Sequence, residues 1–395
     1  MKRIGLLGGT FNPIHCGHLA MAEAALCALS PGEIVIMPDG DPPHKEPQGA
    51  SAVDRLEMAR LAAAGRFAVS SMEVERPGIT YTIDTLEALR AQGVEEIYMI
   101  IGADTLGELT GWKNPGRVFS LCRFLALGRE GCRWPDAPQG ARVTRIEAEI
   151  PGVSSTQVRA RVQAGLALTG LVPLQVEAYI GRKRLYNPPP LLTHAQMLEK
   201  LQAALPAKRY RHVLGVVETA VRLAKRYGYD PARAELAALL HDCAKGMALE
   251  EMRACAAKYE VKYDAMRGAS TALLHAPVGA AVARAEYGVT DPDVLHAICY
   301  HNTGCAGMGT LDAILYLADM TEPSRRPYEG LDALRAKAEQ GLTAALAFAM
   351  AHKLRYIRST GDAHPDTERA YAWLQARIAG GKGIEESFLS YLEGA

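Results

Sequence analysis

The sequence carries no surplus charge of either sign: Lys plus Arg and Asp plus Glu each total 44. Without a global polycation footprint, a nucleic acid polymer is not the expected partner, although a small phosphorylated ligand needs only local positive charge. Long hydrophobic runs are also missing. The mostly apolar stretch after Lys2 and Arg3, Ile4 to Leu7, runs four residues before Gly8-Gly9 ends it, too short for a secretory signal, and no run approaches membrane-spanning length. The eight cysteines contain no Cys-x-x-Cys pair, so reduced thiols in a cytoplasmic protein are expected rather than disulfides. There is no internal repeat and no low-complexity tract. What is present is a chain of 395 residues, 49% of them hydrophobic, long enough for two ordinary globular domains.

Short apolar runs at 4–7, 34–37, 68–71, 97–101 and 124–127 read as parallel strands, with helical patterns at 19–29, 56–64 and 83–91 between them. This alternation predicts an α/β fold with a doubly wound parallel sheet. Sites in such sheets gather at the carboxyl ends of the strands, where Gly8 and Gly102-Ala103-Asp104 lie. The pattern changes at Tyr186-Asn187-Pro188-Pro189-Pro190, a stiff, non-helical break. The reading places a first domain at 1–187, a proline-rich linker at 188–192 and a second domain at 193–395. The second is all-α. Val213, Val216, Val217, Ala220, Val221 and Ala224 form one helical stripe, and similar stripes cover 234–240, 278–285, 294–298, 311–318 and 334–346. A terminal helix is expected at 385–392.

The most informative segment is Gly8-Gly9-Thr10-Phe11-Asn12-Pro13-Ile14-His15-Cys16-Gly17-His18-Leu19. It reads as strand, glycine turn and helix: two glycines let the backbone approach a phosphate, and two histidines three apart stand at a helix mouth that favours anions. The pattern resembles the signature of adenylyl and cytidylyl transferases. Pro42-Pro43-His44-Lys45, the run Thr80–Leu86, Ile101-Gly102-Ala103-Asp104, Gly111-Trp112-Lys113-Asn114 and Ser154-Ser155-Thr156-Gln157-Val158-Arg159 follow in order. Together they resemble nicotinate-nucleotide adenylyltransferase over nearly all of 1–185. The resemblance implies a Rossmann-like nucleotidyltransferase domain that joins ATP to nicotinate mononucleotide, with Mg²⁺ accompanying ATP. It implies that His15 and His18 meet the ATP phosphates, with Lys45 and Arg159 supplying permanent charge. Gly8, Gly9, Thr10 and Phe11 form the phosphate turn. Ser154, Ser155 and Thr156 open a helix whose hydroxyls and amides either cap it or meet a phosphate. Asp104, beside Gly102, is expected near the adenosine ribose, and Thr80, Tyr81 and Trp112 near the pyridine ring. Lys45 also reads as a plain surface lysine. Asn12 stands where that family often has Asp, and Arg129 lacks a following proline.

In the second domain His212, His241-Asp242, His275, His301 and Asp319 stand out. His301 lies seven after Val294, Asp319 four after Leu315, and His212 four before Val216, which puts each on an inward helix face. Buried carboxylates and imidazoles converging from separate helices are costly unless paired or metal-bound. The pattern resembles HD-type metal phosphohydrolases, and implies an all-α HD domain holding two divalent ions bridged by Asp242. Iron suits the mixed nitrogen and oxygen set, as do manganese and zinc. The ions would activate water and stabilise the leaving oxygens. Lys245 and Arg325 match phosphate-contacting positions. The segments 241–246, 274–279 and 317–325 further resemble symmetrical dinucleoside tetraphosphatases, which split diadenosine tetraphosphate into two ADP, although Asn302 stands where Thr is more usual. His194, His296, His352 and His364 match nothing and are left out of the site. The expectation is a bifunctional enzyme of NAD biosynthesis and dinucleotide hydrolysis, with no membrane partner and homo-oligomerisation left open. The alternatives are pantetheine-phosphate or cytidylyl transfer in the first domain, and in the second, hydrolysis of another nucleotide or a nucleotide-sensing role without turnover.

Overall fold

A computed structural model describes residues 2–29, 32–40, 49–129 and 131–384. The chain divides into two compact units, one comprising Met1–Gln163 and Leu168–Asn187, the other Ala164–Ala167 and Pro188–Ala395.

Unit 1 runs β1 (Arg3–Gly9), α1 (Cys16–Leu29), β2 (Glu33–Pro38), α2 (Ala52–Ala63), β3 (Ala68–Val69), α3 (Thr82–Ala91), β4 (Glu96–Gly102), a 3₁₀ stretch (Asp104–Gly111), α4 (Pro115–Leu121), β5 (Arg123–Gly128), β6 (Val143–Glu147), α5 (Ser155–Gln163) and α6 (Leu174–Lys183). The six strands form one sheet in the order β3-β2-β1-β4-β5-β6, and every pair is parallel. Parallel strands covered on both faces must be apolar nearly throughout, and β1, β2, β4 and β5 are. One face packs Leu7, Ile34, Ile36, Ile100 and Leu125, the other Ile4, Leu6, Met37, Met99, Ile101 and Phe124. The chain leaves β1 for β2 on one side and reaches β4 on the other, so a crevice opens where β1 and β4 end. Two readings need correction. The third strand is two residues long, not 68–71. β6 is an additional strand: its burial pattern is that of an edge, largely solvent-facing, so Thr144, Arg145 and Glu147 mask the strand pattern in the sequence.

Unit 2 is helical: α7 (His194–Ala204), α8 (Ala207–Arg226), α9 (Pro231–Leu240), α10 (Leu249–Lys258), α11 (Ala265–Gly268), α12 (Thr271–Glu286), α13 (Pro292–Tyr300), α14 (Thr310–Thr321), α15 (Leu331–Ala338), α16 (Leu342–Thr360) and α17 (Pro365–Ala379). α9 and α13 are built alike. Each starts with an Asp N-cap followed by proline, Asp230-Pro231 and Asp291-Pro292, which fixes the first turn. Each ends at a histidine, His241 and His301, placed at the helix C-terminus. The single stripe expected at 334–346 is two helices, because α15 stops before Gly341, which starts α16 in extended backbone. The helix expected at 385–392 lies outside the described residues. No helix among the described residues is long and apolar enough to cross a membrane, and their eight cysteines are free.

Candidate functional sites

In unit 1 a cavity of about 450 Å³ opens at the ends of β1 and β4. Its wall includes Gly8, Gly9, His18, Thr80, Tyr81, Gly102, Asp104 and Trp112. Gly102 lets the Asp104 carboxylate lie against the strand end, where a Cβ would push it aside. Thr80 is buried and its hydroxyl has no hydrogen-bond partner. Lys113 lies over the Tyr81 ring, 3.8 Å from its centroid, and Trp112 meets Phe124 edge-on at 6.2 Å.

The two histidines form one device. Their rings stack with centroids 3.6 Å apart, and Phe11 meets His18 edge-on at 4.9 Å. The His15 backbone N–H donates to His18 Nδ1 at 3.2 Å, so the proton of neutral His18 sits on Nε2. Burial pulls His15 down to about 4; burial together with the neighbouring His15 pulls His18 down to about 3. Both are neutral at pH 7. Around them, Arg159 donates to Asn12 O at 2.7 Å and to Thr156 Oγ1 at 3.2 Å. Ser155 donates to Pro13 O at 2.9 Å. Ser154 Oγ accepts from the Gln157 N–H at 3.2 Å, which caps α5. Thr10 donates to Asp39 at 3.1 Å. Arg129 reaches Pro151 O at 3.4 Å. Lys45 lies outside the described residues.

Sequence reading missed Arg55. It is fully buried and donates to Thr10 O at 2.7 Å and Gly40 O at 2.8 Å, tying the turn after β1 to the segment after β2. A signal existed: Arg55 shares one face of α2 with Met58, Ala59 and Ala62, all buried, and a charge in an apolar stripe needs a reason.

The neutral histidine pair gives a pH signature. A folded pKa below the unfolded value means that the unfolded chain binds more protons between about pH 4 and 6.5, so stability rises with pH across that window and is complete above it. For His15 alone the shift from 6.5 to about 4 corresponds to about 3 kcal/mol. The unfolding midpoint is expected to fall as pH drops from 6.5 to 4, and His15→Asn to flatten that dependence. Identical slopes for the two proteins would contradict the buried neutral pair.

In unit 2 the predicted residues converge. His212 comes from α8, His241 and Asp242 follow α9, His275 lies in α12, His301 follows α13 and Asp319 lies in α14. Asp242 is the hub. Its Oδ1 is 3.2 Å from His275 Nε2 and 3.8 Å from His301 Nε2, while Oδ2 is 3.4 Å from His241 Nε2 and 3.9 Å from His212 Nε2. Asp319 Oδ1 is 3.1 Å from His212 Nε2. The opposite ring nitrogens are anchored: Nδ1 of His241, His301 and His275 donates to the carbonyls of Ala238 (2.7 Å), Ile298 (2.8 Å) and Thr271 (3.0 Å). His212 Nδ1 bonds Glu322 Oε1 at 3.1 Å. Such outer bonds fix the tautomer and leave Nε2 as the free donor.

Electrostatics follow from burial and pairing. Burial opposes ionisation of Asp242, but His241 and His275 outweigh it and hold the carboxyl well below its ordinary range. Asp319 is depressed likewise, with His212 and Arg325 overcoming burial. His301 is pushed down by burial and by its neighbours His275 and His241. Two sets of donors lie close enough to hold an ion, His212-His241-Asp319 and His241-Asp242-His301. His241 Nε2 is fully buried without a hydrogen-bond partner. Imidazoles with carboxylates suit a divalent transition metal, so the donor set fits one. Lys245 Nζ is 3.0 Å from His275 Nδ1, and Arg325 is 3.4 Å from Asp319. Arg209 and Glu322 were missed. Arg209 pairs with Asp242 Oδ2 at 2.9 Å from one turn before His212, and Glu322 follows Asp319 by one turn. His296 bonds Asp312 at 2.8 Å, and His364 bonds Asp264 at 2.9 Å and caps α17.

A parallel sheet with a histidine-bearing glycine turn at its crevice defines a nucleotidyltransferase, here on one chain with a helical HD unit. The cytidylyltransferase-like family model matches residues 6–161, and the HD domain model matches 209–324. A Synechococcus protein named "Probable nicotinate-nucleotide adenylyltransferase" is 43% identical over 204 residues, which is 48% of this chain and 96% of that protein. A Herpetosiphon aurantiacus protein of the same name is 41% identical, covering 47% of this chain and 99% of its own length. Through its first half the chain belongs to the nicotinate-nucleotide adenylyltransferase family. A solved Clostridium acetobutylicum protein titled "predicted HD superfamily hydrolase involved in NAD metabolism" is 34% identical, covers 48% of this chain and all of its own, and has a TM-score of 0.46.

Proposed function

We propose that unit 1 transfers AMP from ATP to nicotinate mononucleotide, releasing pyrophosphate and forming nicotinate adenine dinucleotide, and that unit 2 hydrolyses diadenosine tetraphosphate to two ADP. On this reading 1–187 and 193–395 are the two catalytic domains, joined by the proline-rich 188–192.

For unit 1 the stacked His15–His18 pair carries the reading. Adenylyl transfer asks the protein to align two polyanions and neutralise charge, with little covalent work. The α1 N-terminus and the Gly8–Phe11 turn offer backbone amides to phosphate. His18 donates from Nε2 to an oxygen at the reacting phosphorus, with His15 stacked behind it. Arg159 and Lys45 hold the outer phosphates. Asp104 accepts from the adenosine ribose, Tyr81 and Trp112 face the pyridine ring, and Thr80 offers it a hydroxyl. Mg²⁺ enters with ATP.

For unit 2 the division of Asp242's two oxygens between two pairs of imidazoles carries the reading, because one carboxylate can then bridge two ions. The bound metals would supply Lewis acidity at phosphorus. The chain's own part is to orient the imidazoles through Ala238, Ile298, Thr271 and Glu322, and to collect the phosphates with Lys245, Arg325 and Arg209. Iron, manganese and zinc all fit these donors; metal analysis of the purified protein decides between them.

The direct test supplies ATP with nicotinate mononucleotide, and separately diadenosine tetraphosphate, and identifies the products. Dialysis against a chelator is expected to remove the unit 2 metals and abolish tetraphosphate hydrolysis. Adenylyl transfer is expected to return as soon as Mg²⁺ is added. Hydrolysis that survives complete metal removal would overturn the second assignment, and failure to form the nicotinate dinucleotide the first.

A further inference from the structure

The four imidazoles of unit 2 are not supported alike. His241, His275 and His301 rest on backbone carbonyls, whereas His212 rests on a side-chain carboxylate, its Nδ1 lying 3.1 Å from Glu322 Oε1. Glu322 is 1% exposed, and His212 is the one basic side chain paired with it among the described residues. Ser324 holds the carboxylate from the other side: its backbone N–H donates to Oε2 at 2.6 Å and its hydroxyl to Oε1 at 3.0 Å. Helix α8 makes room for this group. Gly215, one turn after His212, lies against Glu322, and an added methyl would meet Oε2 and push the carboxylate aside. The middle of a helix is an unfavourable place for glycine, and room for the carboxylate accounts for one there.

The two candidate ion positions therefore differ. The position at His212, His241 and Asp319 has a carboxylate of its own in Asp319, shares Asp242, and has a second carboxylate behind His212. The position beside His275 and His301 has only the other Asp242 oxygen, and the Lys245 ammonium stands 3.0 Å from His275 Nδ1. Arg209 and Arg325 reach Asp242 and Asp319, but both are partly exposed and free to turn to a phosphate, whereas Glu322 is enclosed. An acceptor behind a ligating imidazole fixes its orientation and raises its basicity, and a charged acceptor bonds more strongly than a neutral carbonyl. Building on the hydrolase reading for its effect on turnover, we infer that Glu322 is a positioning residue that makes the two positions unequal. Acting through His212, it helps to hold one resident ion at His212, His241 and Asp319. The position at His275 and His301 exchanges its ion readily, and its occupancy sets whether unit 2 turns over.

The experiment uses the full chain stripped with a chelator, and Mn²⁺ alone as the probe. Binding is followed by calorimetry and by the paramagnetic resonance signal of free Mn²⁺, and metal content is measured after gel filtration. The wild type is expected to bind in two phases and to keep one ion per chain through the column. Losing an outer partner of a metal ligand costs about 10- to 100-fold in affinity. Glu322→Gln keeps the volume and removes the charge, so it is expected to weaken the tighter phase by that factor and to leave the weaker phase within about threefold. Gly215→Ala leaves every donor in place and is expected to act in the same direction to a smaller degree. Should Glu322→Gln not fold, as judged by circular dichroism, Gly215→Ala carries the comparison. Indistinguishable phases in the wild type, or a Glu322→Gln variant that weakens both phases equally or neither, would reduce Glu322 to a brace for the turn after α14 and overturn the inference. Hydrolysis of diadenosine tetraphosphate is expected to rise with the second phase; full activity after the first alone would overturn the exchangeable position. If the phases separate as expected but the tetraphosphate stays intact at full loading, the substrate assignment falls and the role of Glu322 stands.

Discussion

If unit 2 is the tetraphosphate hydrolase proposed above, Asp242→Ala is expected to abolish that hydrolysis, by more than about 10³-fold, and to lower the content of bound metal. The effect is large because this carboxylate contacts four imidazoles with two oxygens. Removing it would take a donor from each of the ions these residues would hold, together with the negative charge that would offset their mutual repulsion. Asp242→Asn separates the contributions: its amide keeps the volume and one oxygen but not the charge, so residual metal with negligible turnover is expected. Adenylyl transfer measured on the same preparations is expected to be unaffected, which shows that unit 1 is intact, and the helical signal of the variant in circular dichroism is expected to match the wild type. Two tightly held ions in Asp242→Ala would remove the bridging role.

The second large effect is at His18. His18→Ala is expected to lower kcat for adenylyl transfer by about 10²–10³-fold, the usual consequence of losing one donor aimed at developing phosphate charge. The proton available to substrate is on Nε2, because the His15 N–H occupies Nδ1. With His18 pulled down to about 3 by burial and by His15, the free imidazole is neutral through the range where an ordinary histidine titrates. The kcat/KM profile is therefore expected to show no histidine limb between pH 5 and 7. A bell centred on pH 6.5 in the free enzyme would mean that the pair is solvated and charged, contrary to the packing around it. Tetraphosphate hydrolysis by His18→Ala serves as the internal control.

Much of this was legible in the residues because the chemistry is local. The Gly8–Leu19 segment places turn, helix start and both histidines within twelve positions, and the strand-turn-helix order follows from its apolar run and glycines. The helix positions of His212 and Asp319 follow from their spacing to Val216 and Leu315. Where structure exists only through partners far along the chain, the reading failed. β6 is a strand because it pairs with β5, which its own polar residues do not advertise. The stripe at 334–346 continues across Gly341 because its apolar periodicity does, yet the backbone turns there. Arg55 could be flagged as odd in an apolar face, but its acceptors, Thr10 and Gly40, lie 45 and 15 residues away.

The sequence by itself determined the two architectures and the residue types of both sites, since periodicity, proline and glycine act within a turn or two of the chain. Tertiary structure alone decided which oxygen of Asp242 faces which imidazole, which nitrogen of His18 carries its proton, and that Arg209 and Glu322 join the site from α8 and the end of α14. Those are relations between atoms brought together by packing, and pairwise electrostatics and hydrogen bonding depend on distance in space, which the order of residues along the chain does not contain.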